Sequence, residues 1–504
     1  MEHRTNQGAS ADDPIQKAIS SAERALSLAP SSPAARMELG QSYWQWGQSR
    51  SEQGEDPGKA LDKALAAFEG LSAEHRDYDF HIALGLVFET RSDHKSHVGG
   101  DPQPDRGRAI EAYRAATALD AGPAVGWLNL GNAYLLRASH PRDEDADGDL
   151  TQSLAALDKA RERNPSQLMG YIYGADAHEL IAGRRRARGQ DPRPSLSLAL
   201  SLYRQGLAVN PKLAYLHNGV GTILLEQARE EWDRGGAPGP LIAEARAAFE
   251  QAIAVAPEQG FGYHNVGEAL ATEVRYTVKS GEDPRKAAEA ALVALEKAAL
   301  KLSDRAASRI AMGAVYALLA MFEVEQGRDP EPQVAKAESA LAVALKMDPE
   351  DAQGHLALGE ARAARALYRG SKGRAAPGDF EEAARSYEKA IELAPEDQDA
   401  RLAFGHFCRL RAESDKAAGR DPVPMLSKGL EVAAALLSAR PDWAEARVLR
   451  ASLLLRQAEA GPADVRRERA ELSRKDFDAA LAVNAHLAGR WRDDATVAQS
   501  LSLR

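Results

Sequence analysis

The sequence predicts an all-α fold: an α-solenoid in which about ten helix-turn-helix repeats stack into a right-handed superhelix. Three observations predict it. A proline recurs every 46 residues, a small residue follows each proline ten residues later, and a Gly-x-Asp-Pro motif recurs between them. Regular self-similarity of this kind is typical of repeat arrays, in which each unit packs only on its neighbours. The 504 residues can therefore form one array.

The recurring prolines follow Ala/Leu-rich segments and mark the start of each unit. They are Pro165, Pro211, Pro257, Pro349, Pro395 and Pro441, with Ser303 in the one gap. The small residues that follow them are Ala175, Gly221, Gly267, Gly313, Gly359, Gly405 and Ala451. Upstream, the same register holds Pro30 with Gly40, His75 with Gly85, and Ala121 with Gly131. The register therefore extends over most of the chain.

Small and aromatic residues also keep a fixed register before each proline position. One unit has Ala109, Tyr113 and Ala116 there, and a later unit has Ala383, Tyr387 and Ala390. Spacings of four and three residues place each set on one face of a helix. We therefore expect the small residues to let two helices approach closely and the aromatic ring to fill the space between them.

The segments WLNLGNAY and AARSYEKAIELAP resemble tetratricopeptide repeats (TPR), and the resemblance covers residues 14–487. It implies a superhelix whose concave face, lined by the first helix of each pair, binds extended peptides. The usual repeat of that family has 34 residues. Here about a dozen extra residues lie between the two helices of each unit, where the Gly-x-Asp-Pro motif occurs.

The Gly-x-Asp-Pro motif predicts how one helix ends and the next begins. Glycine adopts the left-handed conformation that ends a helix, aspartate caps the following helix, and proline is tolerated at its first position. The motif occurs at Gly54, Gly189, Gly281, Gly327 and Gly419. We therefore expect a lengthened hairpin, with first helices of roughly 20 residues and second helices of roughly 16.

These patterns divide the chain into three predicted segments. Residues 1–13 are a disordered N-terminus, residues 14–487 are the TPR-like superhelix, and residues 488–504 are a capping helix and tail. Asp13-Pro14 matches the middle of a repeat, so the superhelix is expected to begin on the second helix of a pair. A start in the middle of a repeat is compatible with a solenoid that serves a further segment attached to its N-terminus.

Composition excludes several classes of function. The formal net charge is −10, so no nucleic-acid partner is expected, because phosphate binding needs clustered basic surface. The single cysteine, Cys408, excludes a disulfide framework and fits a cytoplasmic location. The sequence contains no run of 18 consecutive apolar residues, so membrane insertion is not expected. No cofactor is predicted, and the sequence carries no signal for oligomeric state.

The predicted partner-binding residues occupy the slots four, seven, eight and eleven residues after the start of units three to six. Amides suit a peptide backbone because they donate and accept hydrogen bonds, and aromatic side chains offer contact area at modest entropic cost. The alternative is ordinary polar packing between helices. The predicted residues are Asn129, Asn132, Tyr173, Asp176, Tyr215, Asn218, Phe261, His264, Asn265 and Glu268.

Four other patterns could mark chemical sites, and each has an ordinary structural interpretation. His75-Arg76-Asp77 matches part of a kinase catalytic loop but lacks its asparagine. His94 and His97 beside Asp93 lack a second group of metal ligands. The arginines at 184–186 and 188 complement the end of a helix dipole, with an acidic or phosphate partner as the alternative. Cys408 occupies a slot typical of a buried residue.

The sequence therefore predicts a non-enzymatic interaction scaffold that binds peptide or protein partners. The alternative is a regulatory or sensor arm of a bacterial Ser/Thr protein kinase, fused or acting in trans. The long hairpins resemble the repeat arms that follow some bacterial kinase domains, and the register begins in the middle of a unit. An enzyme in its own right would need ionisable residues converging in one pocket, and the sequence offers none.

Overall fold

The computed structural model describes residues 12–141, 143–376 and 378–503, and at residues 12, 13, 463 and 464 it describes the backbone alone. This part of the chain forms 22 α-helices and two short 3₁₀ turns, with no β-strand among the described residues. The all-α solenoid predicted from the sequence is confirmed. The predicted disordered segment falls mostly on residues 1–11, outside the described residues.

The even-numbered helices from α2 to α20 are the first members of the helix pairs. They are α2 (Pro33–Glu52), α4 (Tyr78–His97), α6 (Ala124–Ala138), α8 (Leu168–Ala187), α10 (Ala214–Asp233), α12 (Gly260–Ser280), α14 (Ala307–Glu325), α16 (Ala352–Ser371), α18 (Gln398–Ala417) and α20 (Ala444–Ala460). Their lengths run from 15 residues in α6 to 21 in α12.

Odd-numbered helices are the second members, and the described chain starts with one of them. They are α1 (Asp12–Leu28), α3 (Gly58–Glu69), α5 (Gln103–Leu119), α7 (Ala146–Arg163), α9 (Arg193–Val209), α11 (Gly239–Val255), α13 (Arg285–Lys301), α15 (Glu331–Met347), α17 (Asp379–Leu393), α19 (Val423–Ala439) and α21 (Ala463–Val483). A last helix, α22 (Ala488–Ser502), follows a 3₁₀ turn at Ala485–Leu487.

Close contact between a glycine and an aromatic ring joins the two helices of a pair. A Cβ atom at Gly40 would lie 2.2 Å from the ring of Phe68, and one at Gly85 would lie 2.3 Å from the ring of Tyr113. Tyr113 and Phe68 are almost completely buried. The small residue and the aromatic residue of the repeat pattern therefore fill one shared space, as the sequence predicts.

The turn between paired helices follows the chemistry predicted for Gly-x-Asp-Pro. Gly54 and Gly281 have φ angles of +75° and +79°. The carboxylate of Asp56 accepts a hydrogen bond from the Gly58 N–H at 2.8 Å, and Asp283 accepts one from the Arg285 N–H at 3.0 Å. The sequence predicted the proline at the first position of the second helix. In the structure this helix begins just after the proline, which itself has helical dihedral angles.

The described chain divides into two compact units. Unit 1 comprises residues 1–183 and 197–211, of which residues 12 onward are described outside the gap at 142. Unit 2 comprises residues 184–196 and 212–504, described as far as residue 503 outside the gap at 377. The boundary crosses α8 and α9. The three-segment division expected from the sequence stays a prediction.

Unit 2 contains contacts between helices that are far apart in the chain. The indole Nε1 of Trp232, at the end of α10, donates to Glu445 in α20 at 2.6 Å. Lys279, at the end of α12, donates to both oxygens of the same carboxylate at 2.8 Å. Asn484 donates from its amide to the Trp232 carbonyl oxygen at 2.6 Å. The first helix pairs of unit 2 therefore touch its last ones.

Helix α14 is long and apolar enough to cross a membrane by length and composition alone, with a mean hydropathy of 1.4 and about half of it buried in the fold. Its buried residues include Ile310, Val315 and Phe322. A buried core helix passes the same test of length and composition, so this helix is weak evidence for a membrane span.

Candidate functional site

The candidate site lies on the first-helix face of unit 1, the surface formed by α4, α6 and α8. The charges of three carboxylates act on the hydroxyl of Tyr173 there: those of Glu89 and Asp93 from α4, and that of Asp176 from α8. Asn132 of α6 lies between these helices in sequence and contacts Glu89. We call these three acidic side chains, with Tyr173 and Asn132, the carboxylate cluster.

Glu89 accepts hydrogen bonds from two neighbouring helices. The Tyr113 hydroxyl of α5 donates to it at 2.6 Å, and the Asn132 amide donates to it at 3.0 Å. Burial raises the pKa of Glu89, although these two hydrogen bonds act in the opposite direction. No basic side chain of the described residues forms an ion pair with Glu89. The carboxylate is thus held by neutral donors.

Asp93 lies one helical turn after Glu89 on α4, so both side chains are on the same face of the helix. Burial raises the pKa of Asp93, and the nearby charges of Arg106 and His97 lower it again. The guanidinium of Arg106 is itself buried, and burial lowers its pKa. The α4 end of the cluster therefore holds two partly desolvated acids.

Tyr173 and Asp176 bring α8 into the cluster. The Tyr203 hydroxyl donates to Asp176 at 2.6 Å. The pKa of Tyr173 is raised by burial first and then by the charges of Glu89, Asp176 and Asp93. Because three carboxylates act on one hydroxyl, their charges favour a cation at this part of the face, and the charges of Arg106 and His97 near Asp93 oppose it.

Four of the ten predicted residues are in unit 1, and three of them join the cluster. Asn132, Tyr173 and Asp176 lie within it. Asn129 is half-buried one turn before Asn132 on α6, so it extends the same face toward the start of that helix. The structure therefore brings together three of the four predicted residues of unit 1.

The other six predicted residues are in unit 2. Asn265 donates its amide to the Asn218 side-chain oxygen at 3.1 Å. His264 has its Nδ1 3.2 Å from the Ser308 hydroxyl, and burial lowers the pKa of His264 while Glu268 raises it. Tyr215 and Phe261 are 50% and 40% exposed. Their role in binding stays a prediction.

The sequence prediction missed Glu89 and Asp93, although the sequence holds a signal for them. The four slots that it used end eleven residues after the start of a unit. Continuing the same helical period gives positions 14 and 18 residues after His75, which are Glu89 and Asp93. The prediction did not include them for two reasons. Its slots ended eleven residues after the start of a unit, and it covered only units three to six, whereas both acids lie in the preceding unit.

The patterns that could mark chemical sites have structural roles. Asp77 caps α4, since its carboxylate accepts the Phe80 N–H at 3.0 Å. Arg186 pairs with Glu226 and Glu230 at 2.5 and 2.8 Å. Cys408 is fully buried, which raises its pKa to about 12, so the thiolate form is scarce at neutral pH. No group of three potential metal ligands occurs among the described residues.

Comparisons with known proteins give a likeness of fold. No protein-family model matches the sequence, and no curated protein matches it. Human IFIT1, solved as a dimer with m7Gppp-AAAA, aligns at a TM-score of 0.49 and 14% identity over 92% of this chain and 90% of that chain. YrrB, a TPR protein with an unusual peptide-binding site, aligns at 0.27 and 20% identity over 49% of this chain and 96% of that chain.

A third solved structure is TTC0263, a thermophilic TPR protein of Thermus thermophilus. It aligns at a TM-score of 0.31 and 23% identity over 46% of this chain and 98% of that chain. The class that the fold defines is an all-α solenoid of paired helices.

Proposed function

We propose that this chain is a non-enzymatic scaffold that holds a protein or peptide partner on the first-helix face of unit 1, and that the partner presents a basic segment there. The observation that carries the proposal is the carboxylate cluster. Glu89 is held there without a described basic partner, and its pKa is raised by burial. A lysine or arginine side chain would supply the missing cation through charge-assisted hydrogen bonds.

The neutral members of the cluster suit the rest of a peptide. The Asn132 amide has donor and acceptor atoms that can meet a peptide backbone, and the Tyr173 ring offers contact area with few rotatable bonds. Asn129 would extend the contact along α6. The predicted residues of unit 2, Tyr215, Asn218, Phe261, His264, Asn265 and Glu268, are proposed as a further contact surface of the same scaffold.

The same electrostatics argues against a nucleic-acid partner at this site. Phosphate groups need cations, and the cluster presents three carboxylates from α4 and α8. The proposal further takes the repeat as an extended hairpin of 46 residues and places the chain in the cytoplasm, which rests on the repeat register and on the lone, buried Cys408.

A pair of synthetic peptides tests the proposal. We expect an acetylated peptide of alternating lysine and leucine to bind the whole chain in fluorescence anisotropy, and the same peptide with glutamine in place of lysine to bind much more weakly. Glu89→Gln keeps the side-chain volume and an acceptor oxygen while it removes the charge. It should weaken binding of the lysine peptide about tenfold, which corresponds to about 1.4 kcal/mol.

The matched control is Glu111→Gln, which removes one acidic charge from an exposed position on α5. Binding of the lysine peptide should be unchanged in this variant. Equal loss in both variants would mean that the peptide responds only to net charge. Unchanged binding in Glu89→Gln would contradict the proposed site, and a normal circular dichroism melt would show that both variants fold.

A further inference from the structure

Unit 1 has a pocket on the opposite side of α6 from Asn129 and Asn132. It lies between α5 and α7 and has a volume of about 250 Å³. Trp127, Leu130 and Tyr134 of α6 form its floor. These residues are separated from Asn129 and Asn132 by about half a turn of the helix. The pocket is therefore distinct from the carboxylate cluster.

The lining of the pocket carries positive charge and no negative charge. Arg114 of α5 and Lys159 of α7 lie on its two walls, and none of its ten lining residues is acidic. Neither basic side chain forms an ion pair with a described residue, and both are exposed to solvent. The pocket therefore presents two cations that no described carboxylate neutralises through an ion pair.

The floor of the pocket is aromatic and held in place. The Trp127 indole donates to the Ala121 carbonyl oxygen at 3.0 Å, which fixes the orientation of the ring. The Lys159 ammonium lies 4.0 Å from the centre of that ring. Gln152 adds an amide to the wall beside Lys159. Hydrogen-bond donors and cations thus surround an apolar base, which suits an anion carried on an apolar stem.

The two cations are particular to this repeat. In the corresponding positions around α12, the second helices α11 and α13 carry Glu250 and Lys297, so an acid takes the place of Arg114. Tyr263 occupies the position of Trp127 there. The repeat pattern therefore permits an acidic residue at this position, as in the groove between α11 and α13. The groove between α5 and α7 has the basic residue Arg114 at the same position.

We propose that the pocket lined by Arg114, Trp127 and Lys159 binds an anionic side chain of a peptide, with the apolar residue beside it packed on the indole. The anion is a carboxylate or a phosphate group, since both meet two cations in the same way. This site is independent of the basic-segment site on the first-helix face, because different residues and the opposite charge are involved.

The test uses three acetylated peptides with leucine at every second position, and with glutamate, phosphoserine or glutamine at the others. The whole chain, labelled with ¹⁵N at tryptophan, is titrated with each peptide, and the Trp127 indole signal is assigned from the Trp127→Phe variant. We expect the glutamate peptide, the phosphoserine peptide or both to shift this signal. The peptide that binds with the higher affinity identifies the anion as a carboxylate or a phosphate group. The glutamine peptide should leave the signal in place.

Charge reversal locates the binding site. Arg114→Glu combined with Lys159→Glu should weaken binding of the anionic peptide by about tenfold or more, because like charges then face the ligand. Lys297→Glu changes the charge of the matching groove in unit 2 and should leave binding within about twofold. An unmoved Trp127 signal with both anionic peptides would overturn the proposal. So would an equal response to the glutamine peptide, or an equal loss in Lys297→Glu.

Discussion

At the scale of single residues, burial controls the chemistry of the acidic side chains that line the first helices. Glu89 in unit 1 and Glu360 in unit 2 both have a raised pKa, and desolvation is the largest cause for each. They differ in their neighbours. Glu89 accepts two neutral hydrogen bonds, whereas the charges of Arg275 and Lys279 act on Glu360. Buried acids of this kind make the free energy of unfolding depend on pH.

Glu360 gives a prediction about stability and pH. Burial raises its pKa from 4.5 to about 7 in the folded chain. The folded state therefore holds this proton more tightly than the unfolded state. The stabilisation from the bound proton is complete below about pH 4.5 and is lost as the pH rises through about 7. Glu360→Gln should remove this slope and raise the free energy of unfolding at pH 8 by about 1–3 kcal/mol.

Urea unfolding of the two chains at pH 5 and pH 8 measures the effect. The control is Glu289→Gln, at an exposed position on α13, where the same substitution should change little. If Glu360→Gln lowers the urea midpoint at pH 8, the charged carboxylate has a favourable partner and the desolvation argument is wrong.

At the scale of helices and turns, the sequence predicted most of what the structure has. Periodic small and aromatic residues predicted the contact between Gly85 and Tyr113, and Gly-x-Asp-Pro predicted the positive φ of Gly281. These features are local, because each is decided by residues within one repeat. The sequence did not indicate which turn glycines also lie against a distant part of the chain. Gly281 and Gly327 share the Gly-x-Asp-Pro motif, but only Gly281 has a distant residue, Gly489, beside it.

Two turn glycines of unit 2 test that difference. Gly235 and Gly327 have φ angles of +80° and +71°. A Cβ at Gly235 would lie 2.2 Å from the Val483 carbonyl oxygen, whereas nothing lies within 4 Å of one at Gly327. Gly327→Ala should cost about 1 kcal/mol for the left-handed backbone alone. Gly235→Ala should cost about 2–4 kcal/mol, because the backbone of α21 must also move.

Thermal denaturation of both variants and of the parent chain measures the difference between the two substitutions. The contact between the Gly235 turn and the end of α21 predicts a clearly lower melting temperature for Gly235→Ala than for Gly327→Ala. Equal melting temperatures would mean that the two segments are not in contact in solution.

At the scale of the whole molecule, long-range contacts in unit 2 were beyond sequence reasoning. Trp232 and Glu445 are separated by 213 positions in the chain, and no repeat pattern pairs them. In unit 1, Asn132, Tyr173 and Asp176 were named from the repeat register and lie in the carboxylate cluster, whereas Glu89 and Asp93 of α4 were not named. The role of all five residues in binding stays a prediction. The regulatory-arm alternative stays a prediction from sequence resemblance.

The buried carboxylate of Glu445 predicts how the distant parts of unit 2 are held together. It is 7% exposed and accepts hydrogen bonds from Lys279 and Trp232. Glu445→Ala would leave the Lys279 charge without its partner, so we expect a loss of about 3 kcal/mol in the free energy of unfolding. Hydrogen exchange should rise at the ends of α10 and α12 as well as near residue 445.

The control for this change is Glu431→Ala, at an exposed position on α19, which should leave hydrogen exchange in α10 and α12 at the level of the parent chain. Faster exchange confined to α20 in Glu445→Ala would contradict the contact between the first and last helix pairs of unit 2.

Photo-crosslinking from Tyr173 tests the proposal that the carboxylate cluster of unit 1 holds a basic segment of a partner. A photoreactive phenylalanine analogue replaces Tyr173 in the whole chain, the chain is irradiated in a cell extract, and mass spectrometry locates the crosslinked residues. The same analogue at Glu111 serves as the control position. We expect segments crosslinked from position 173 to be enriched in lysine and arginine, and we expect Glu89→Gln to reduce their yield. Segments with no excess of basic residues, or the same segments captured from position 111, would contradict it.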